Sequence, residues 1–360
     1  MGAQSAGGLA LPSATPTAGQ FYAPRGVWTD GTRLAVADTG NHRVLIWHSM
    51  PSHDGAAADV VLGQSDFVSE GPAASGRGSA KGFFLPTGLG LVEGRFVVAD
   101  AWHHRLVVYD ELPLESDVAP LYALGQANLD EVLANRGGDT SGLSFYWPFG
   151  FALVGGTFWV ADTGNRRVLG WSGGLGEPGV APDIVLGQPS MNERGENRGG
   201  AVSASSFRWP HSVAGDDATL FVADAGDHRV LGWSPLPTGD RPANMVVGQA
   251  DFTRSEELTY RPQGPQRLRF PYAVVSDDRR MLVADTANNR VLAWEPVPRD
   301  GQGAAAKMVF GQDDFDLHGE NRWLAITDDS LCWPYGLSLC GDVLAIADSG
   351  NNRVVLWSLA

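Results

Sequence analysis

The sequence predicts an all-β fold, namely a six-bladed β-propeller with four antiparallel strands per blade. The first observation behind this prediction is that nearly the same eleven residues occur six times, from ADTGNHRVLIW at 37–47 to ADSGNNRVVLW at 347–357. The second is their even spacing, because the Asp of each copy falls at 38, 100, 162, 224, 285 and 348, in steps of 62, 62, 62, 61 and 63 residues. A period this steady indicates one supersecondary unit repeated in tandem.

The third observation is that each copy contains signals for four short strands. A Pro followed by a small residue and an apolar run opens each unit, and the six units begin near residues 24, 86, 148, 210, 271 and 334. Pro suits the start of a strand because its missing N–H falls outside the ladder. Next come a β-rich run ending in Asp, a tight turn and the run RVLxW, which together predict a hairpin. An apolar strand ending in Gly-Gln completes the unit, and a linker of about 20 residues leaves about 42, the usual size of a blade.

The two ends of the chain predict how the ring closes. The last unit stops after its third strand, and the residues before Pro24 contain no hairpin of their own. We expect part of residues 6–20, with Leu9–Leu11 as the best segment, to supply the missing outer strand of the last blade and so remove an open edge. Residues 1–360 would then form one propeller, with 1–20 as closing strand and tail.

Composition restricts the function. The net charge is −15, with 26 Lys and Arg against 41 Asp and Glu, and this balance argues against a nucleic-acid partner. No apolar run approaches the roughly 18–20 residues of a membrane span, and nothing in an acidic closed ring calls for a partner chain, so we expect a monomer. Cys332 and Cys340 bracket a predicted strand and should be unpaired. Free thiols favour a cytoplasmic location slightly, although a secreted protein whose leader had been removed would look the same.

An Asp and an Arg recur five residues apart in every copy. The Arg residues are 43, 105, 167, 229, 290 and 353. A sixfold recurrence is typical of a salt bridge that locks a turn, whereas catalysis breaks symmetry. We therefore predict a structural role for all six pairs.

The positions that break the symmetry are better candidates for a site. The residue after each Pro should ring the mouth of the central channel, on the face that also collects the long loops. These candidate ligand-binding residues are Arg25, Thr87, Phe149, His211, Tyr272 and Tyr335. A cation, an imidazole and two phenols around one opening are typical of a small-molecule or peptide-end site.

The repeated Pro-x-Gly and VAD-t-x-N-x-R-V-x-x-W patterns resemble those of the NHL-repeat family, over nearly the whole chain. The Gly-Gln and Asn-Arg-Gly additions resemble a long-loop bacterial branch of that family, while Trp102-His103-His104 departs from the usual turn. Some propellers of this type are enzymes, and the chain is similar in plan to the peptidyl-hydroxyglycine amidating lyases, which bind zinc through several His at the channel. Only His211 holds an equivalent-looking place here.

Two functions remain open. The first is a non-enzymatic scaffold that holds a small molecule, a peptide or a protein at the loop-rich face over the channel. The alternative is a lyase or hydrolase in which Arg25 holds an anionic group, His211 acts as base or metal ligand, and Tyr272 or Tyr335 acts as acid. No cofactor is expected from the first function, whereas His42, His103 and His104 are the candidate ligands if zinc or copper is bound.

Overall fold

Six small sheets of consecutive antiparallel strands make up the computed structural model, which describes residues 15–257 and 262–359. This architecture confirms the predicted six-bladed propeller. Blade 1 contains β1 (Gly26–Thr29), β2 (Leu34–Asp38), β3 (Arg43–Trp47) and β4 (Val60–Leu62). Blade 2 contains β5 (Leu89–Val92), β6 (Arg95–Asp100), β7 (Arg105–Tyr109) and β8 (Tyr122–Leu124). Blade 3 contains β9 (Pro148–Val154), β10 (Thr157–Asp162), β11 (Arg167–Trp171) and β12 (Ile184–Leu186).

The second half of the ring repeats this order with one addition. Blade 4 contains β13 (Pro210–Gly215), β14 (Leu220–Asp224), β15 (Arg229–Trp233) and β16 (Met245–Val247). Blade 5 begins with β17 (Pro271–Ser276), β18 (Met281–Asp285) and β19 (Arg290–Trp294). The two-residue strand β20 (Gly301–Gln302) then pairs in parallel with β16, before β21 (Met308–Phe310) completes blade 5. Blade 6 contains β22 (Pro334–Cys340), β23 (Val343–Asp348) and β24 (Arg353–Ser358).

Short helical turns occupy two kinds of place. One turn of 3-10 helix joins the second and third strands of every blade, at Thr39–Asn41, Ala101–His103, Thr163–Asn165, Ala225–Asp227, Thr286–Asn288 and Ser349–Asn351. The linkers contain Pro72–Gly76, Ser79–Lys81, Ala134–Gly137, Glu196–Gly199 and Glu320–Trp323. No helix in the described parts of the chain is long and apolar enough to cross a membrane.

The core lies between blades, where the apolar faces of neighbouring sheets meet. One buried cluster joins Trp159 and Val168 of blade 3 to Val222 and Leu231 of blade 4. Because a single blade leaves its apolar faces exposed, the burial of such faces against neighbours holds the ring together.

The ring closes between blades 6 and 1. Phe21 and Val27 share a buried cluster with Ala345 and Val354 of the last blade, and Thr29 N–H donates to Ser338 Oγ at 3.1 Å. Blade 6 has three strands within the described residues. The predicted closing segment Leu9–Leu11 lies outside the residues that the structure describes.

Glycine lets the inner strands approach one another closely at the axis. A Cβ on Gly26 would lie 1.8 Å from Thr87 O, and one on Gly336 would lie 2.5 Å from Arg25 O. The Gly of the Pro-x-Gly pattern therefore sets the tight spacing of the residues that precede it at the channel mouth.

The long linkers lie on the face that carries the hairpin turns, as predicted. In blade 1, Gln64 Nε2 donates to Gly71 O at 2.8 Å and to the carbonyls of Asn41 and His42 at 3.4 Å. The Gln of the Gly-Gln pattern thus ties the linker to the turn. Both cysteines are free, which confirms the expectation for Cys332 and Cys340.

Candidate functional site

The recurring Asp and Arg form buried hubs in all six blades. Arg Nε lies 2.7 to 3.1 Å from Asp Oδ2 in each pair. In blade 3, Asp162 also accepts Tyr146 N–H at 2.7 Å, and Arg167 Nη2 donates to the carbonyls of Ser141 and Ser144. Each hub therefore fixes both the turn and the linker that enters its blade, which confirms a structural role.

A second recurring contact links each hairpin turn to the next blade. The residue after the 3-10 turn has a left-handed backbone and, in five blades, accepts the N–H of the residue before the following Pro. His42 Nδ1 accepts Leu85 N–H at 3.1 Å, His104 Nδ1 accepts Trp147 N–H at 3.2 Å, and His228 Nδ1 accepts Phe270 N–H at 3.2 Å. Asn289 and Asn352 make the same contact through Oδ1 to Trp333 and Ala23. We call these contacts the blade latches.

Blade 3 has no latch because of the residue at its latch position. Blade 3 has Arg166 at the latch position, and Arg carries no acceptor. There Trp209 N–H donates to Asp224 Oδ1 at 3.0 Å instead. The other five residues before Pro have φ between 46° and 53°, whereas Trp209 is absent from the positive-φ residues. The residue before Pro thus has a left-handed backbone in the five blades that have a latch acceptor, and not in blade 3.

The histidines proposed as metal ligands do not form a metal site. His42 and His104 use Nδ1 as latch acceptors, so the proton of each neutral ring lies on Nε2. His103 Nδ1 lies 2.8 Å from Asp100 Oδ2 in a buried hub, and the Phe84 ring stands between His42 and His103. No group of three or more His, Cys, Asp or Glu in the described residues could hold a metal ion. In the described structure these three histidines therefore take part in latch and hub contacts, and no set of metal ligands is grouped around them.

The six predicted rim residues do lie together, because all of them line one cavity of about 330 Å³ in the central channel. Five of them form a continuous stack around the opening. The ring centroids are 4.2 Å apart for Phe149 and His211, 4.4 Å for His211 and Tyr272, and 4.4 Å for Tyr272 and Tyr335. The Arg25 guanidinium lies 4.7 Å from the centre of the Tyr335 ring and ends the stack. We call these five residues the aromatic arc.

Thr87 stands in the gap of the arc. Its hydroxyl donates to Phe149 O at 2.9 Å, and the side chain is buried. Thr87 therefore closes the circle by bonding to the neighbouring strand, and its hydroxyl proton is already used.

Burial keeps the titratable groups of the arc neutral. Loss of solvent, with a smaller contribution from the charge of Arg25, lowers the pKa of His211 to about 3. Burial and then the neighbouring Tyr335 raise the pKa of Tyr272 well above its usual value. At neutral pH the arc thus holds an uncharged imidazole at His211 and a protonated phenol at Tyr272 beside the guanidinium of Arg25.

The wall below the arc carries partly exposed apolar side chains, which include Trp28, Leu89, Phe151, Val275 and Leu339, although the exposed surface of the whole cavity is more polar than apolar. The Ser212 and Ser338 hydroxyls are engaged with backbone groups of the adjacent inner strands. The channel thus offers apolar side chains below a polar mouth.

Four of the six residues before Pro are aromatic, a feature that the sequence analysis did not single out. Trp147 lies 5.6 Å from Trp102, which also meets Phe149 edge to face at 5.6 Å. Trp209 and Trp333 are 36% and 40% exposed. The signal was present in the sequence as Trp-Pro or Phe-Pro in four copies, and these rings widen the apolar rim around the arc.

Comparison with curated proteins gives relatives over most of the chain. NHL repeat-containing protein 2 from Bos taurus is 25% identical, and the Homo sapiens protein of that name is 24% identical; both matches cover 91% of this chain. The chain spans 45% of the length of these relatives. Both are vertebrate proteins, so a bacterial origin stays a prediction. No protein-family model matches the chain.

Solved structures match at the level of the fold. An auxiliary nutrient binding protein from Bacteroides thetaiotaomicron has a TM-score of 0.51 at 10% identity, covering 93% of this chain and 68% of that one. A streptogramin B lyase has a TM-score of 0.48 at 11% identity, covering 95% and 94%. The sixfold repeat and the six-bladed fold are consistent with the NHL-repeat β-propellers, and over most of its length the chain is similar to curated proteins that carry this repeat name.

Proposed function

We propose that this propeller is a binding module that holds a small molecule or the end of a peptide at the channel mouth, on the loop-rich face. One observation carries the proposal: the positions that break the sixfold symmetry converge on a single opening and stack there in order. Rigid rings around a cavity of about 330 Å³ form a concave site of the size that holds small ligands.

The lyase or hydrolase alternative uses the same residues and has less support. With a pKa of about 3, His211 is a weak base, and the raised pKa of Tyr272 makes it a weak acid. Among the residues that the structure describes, the cavity lining includes no carboxylate that could assist them. These features suit recognition by hydrogen bonds and ring contacts better than proton transfer.

Ligand-observed NMR with a library of small neutral, cationic and anionic compounds tests the proposal. Tyr272→Ala removes the centre of the arc and should abolish the signals of compounds that bind the wild type. Tyr122→Ala is the matched control, because Tyr122 is a partly exposed ring on the outer strand of blade 2. Hits that survive Tyr272→Ala, or disappear equally in both variants, would place binding away from the mouth.

A further inference from the structure

Arg25 lies in the cavity lining without a carboxylate partner among the described residues, and its guanidinium contacts the face of the Tyr335 ring. Its backbone N–H is held by Ala37 O and Thr39 Oγ1, so the position of the residue is fixed. Within the described residues, its side chain donates no hydrogen bond and joins no ion pair, and its Nε is buried without a partner. Since a buried donor without an acceptor costs about 1–3 kcal/mol, this atom points to an acceptor supplied from outside the chain.

The rest of the mouth offers donors and little negative charge. Rings stacked face to face around a circle turn their edges away from their neighbours, and the edge of an aromatic ring is its positive part. The hydroxyls of Tyr272 and Tyr335 interact with each other and lie in the same cavity lining as Arg25. Among the described residues, Arg25 is the sole charged residue in the cavity lining, on a chain whose net charge is −15. This local reversal of charge favours an anionic group at the mouth.

The apolar wall below the arc restricts the rest of the ligand. Phe151 and Trp28 both approach Gly90, where a Cβ would lie 3.4 Å from Trp28 and 3.9 Å from Phe151. These side chains, with Leu339, offer contact to hydrocarbon and no charged partner. A compact, strongly hydrated anion would leave this surface unused.

We propose, as a refinement that rests on the proposed function, that the ligand is an amphipathic monocarboxylate. Its carboxylate accepts from the guanidinium of Arg25 and from the tyrosine hydroxyls, and its apolar body enters the channel below the arc. The planar fork of Arg matches a carboxylate, and charge-assisted bonds of this type are among the strong ones.

Isothermal titration calorimetry with three probes tests this inference at pH 7. 3-Phenylpropionate should bind the wild type at least tenfold more tightly than 3-phenylpropionamide, and inorganic phosphate should bind weakly. Arg25→Gln should reduce the affinity for the carboxylate at least tenfold and leave the amide unchanged. Arg25→Lys keeps the charge without the fork and should give an intermediate affinity. Arg95→Gln is the matched control, because Arg95 also stacks on a tyrosine, Tyr122, away from the mouth.

The outcomes separate the two proposals. If the amide binds as tightly as the carboxylate and Tyr272→Ala abolishes both, the mouth is a binding site and the inference about the anion is wrong. If phosphate binds as tightly as 3-phenylpropionate, the proposal that the ligand has an apolar body is wrong. If neither phenyl probe binds, or if Arg25→Gln and Arg95→Gln act alike, the inference is overturned. A melting temperature of Arg25→Gln within a few degrees of the wild type verifies that the variant is folded.

Discussion

Replacing Asp227 by Asn should stabilise the protein at alkaline pH. In four blades an Asn at the equivalent turn position donates Nδ2–H to the hub Asp, at 2.7 to 2.9 Å. Asp227 can donate to Asp224 only when it is protonated. Its Oδ2 has no hydrogen-bond partner and lies 3.6 Å from Arg229 Nη2. Burial, and then the charge of Asp224, raise its pKa from 3.8 to about 7.

The sign and size of the effect follow from that pKa. Between pH 3.8 and 7 the native state binds more protons at this residue than the unfolded state does, so the wild type loses stability as the pH rises through this window. Raising the pKa of Asp227 by about 3 corresponds to about 4 kcal/mol in the free energy of unfolding. Relaxation around Asp224 and Asp227 reduces this energy. We therefore expect Asp227→Asn to gain about 2–4 kcal/mol at pH 8 and much less at pH 4.5.

Urea unfolding at both pH values measures this difference between variant and wild type. Asn165→Asp is the reciprocal control, because it should give blade 3 the alkaline destabilisation that blade 4 has now. The reasoning fails if Asp227→Asn is no more stable than the wild type at pH 8, or if the difference between them does not depend on pH.

Five further variants test the latches, the hubs and one strained linker by the midpoints of urea unfolding. His104→Ala removes a latch acceptor and should cost about 1–3 kcal/mol at pH 7, whereas His104→Asn should be neutral there. Because burial lowers the pKa of His104 to about 4, the wild type should lose stability as the pH falls from about 6.5 toward 4, and the Asn variant should lose less. Arg167→Met leaves a buried Asp unpaired and should cost about 3–5 kcal/mol; Arg353→Met should cost less, since that side chain is 13% exposed. Trp323, 72% exposed with φ of 58°, replaces a Gly of the related linkers, so Trp323→Gly should gain about 1 kcal/mol. Equal losses at both arginines, a stable His104→Ala or a destabilised Trp323→Gly would contradict these expectations.

The fold and the hubs could be predicted from the sequence because symmetry makes them redundant. The Asp and Arg recur in all six copies, so each copy independently indicates the same structural role. In each pair the Arg Nε lies within 3.1 Å of the Asp Oδ2. The same redundancy could have identified the latches. Asn289 and Asn352 occupy the position of His42, and an amide shares with imidazole the capacity to accept an N–H. Considering the histidines alone, instead of the residues at this position in all six blades, singled out His42 and His104 as candidate metal ligands and missed their role in the latches.

The sequence predicts which residues line the channel mouth, but it does not predict how their side chains stack. Recurrence of Pro indicated that Phe149, His211 and Tyr272 would surround the channel. Their stacking depends on how closely neighbouring inner strands approach, and the pattern of apolar residues does not encode that distance. The unpartnered state of Arg25 also required coordinates, because any of the 41 acidic residues could have been its partner.

The hubs and the latches explain why the residues at the channel mouth can differ from blade to blade. Hubs and latches bind backbone groups of the linkers and of the next blade, so they hold the residues on either side of the Pro without contacting the rim side chains. Where the latch fails, at Arg166, a hub oxygen replaces it and Trp209 still reaches the same face. The six rim positions are therefore relieved of any role in closing the ring, apart from Thr87. The imidazole of His104 accepts an N–H from the next blade, whereas within the described residues the imidazole of His211 contacts stacked rings and makes no hydrogen bond, and this difference supports the proposal that His211 contacts a ligand.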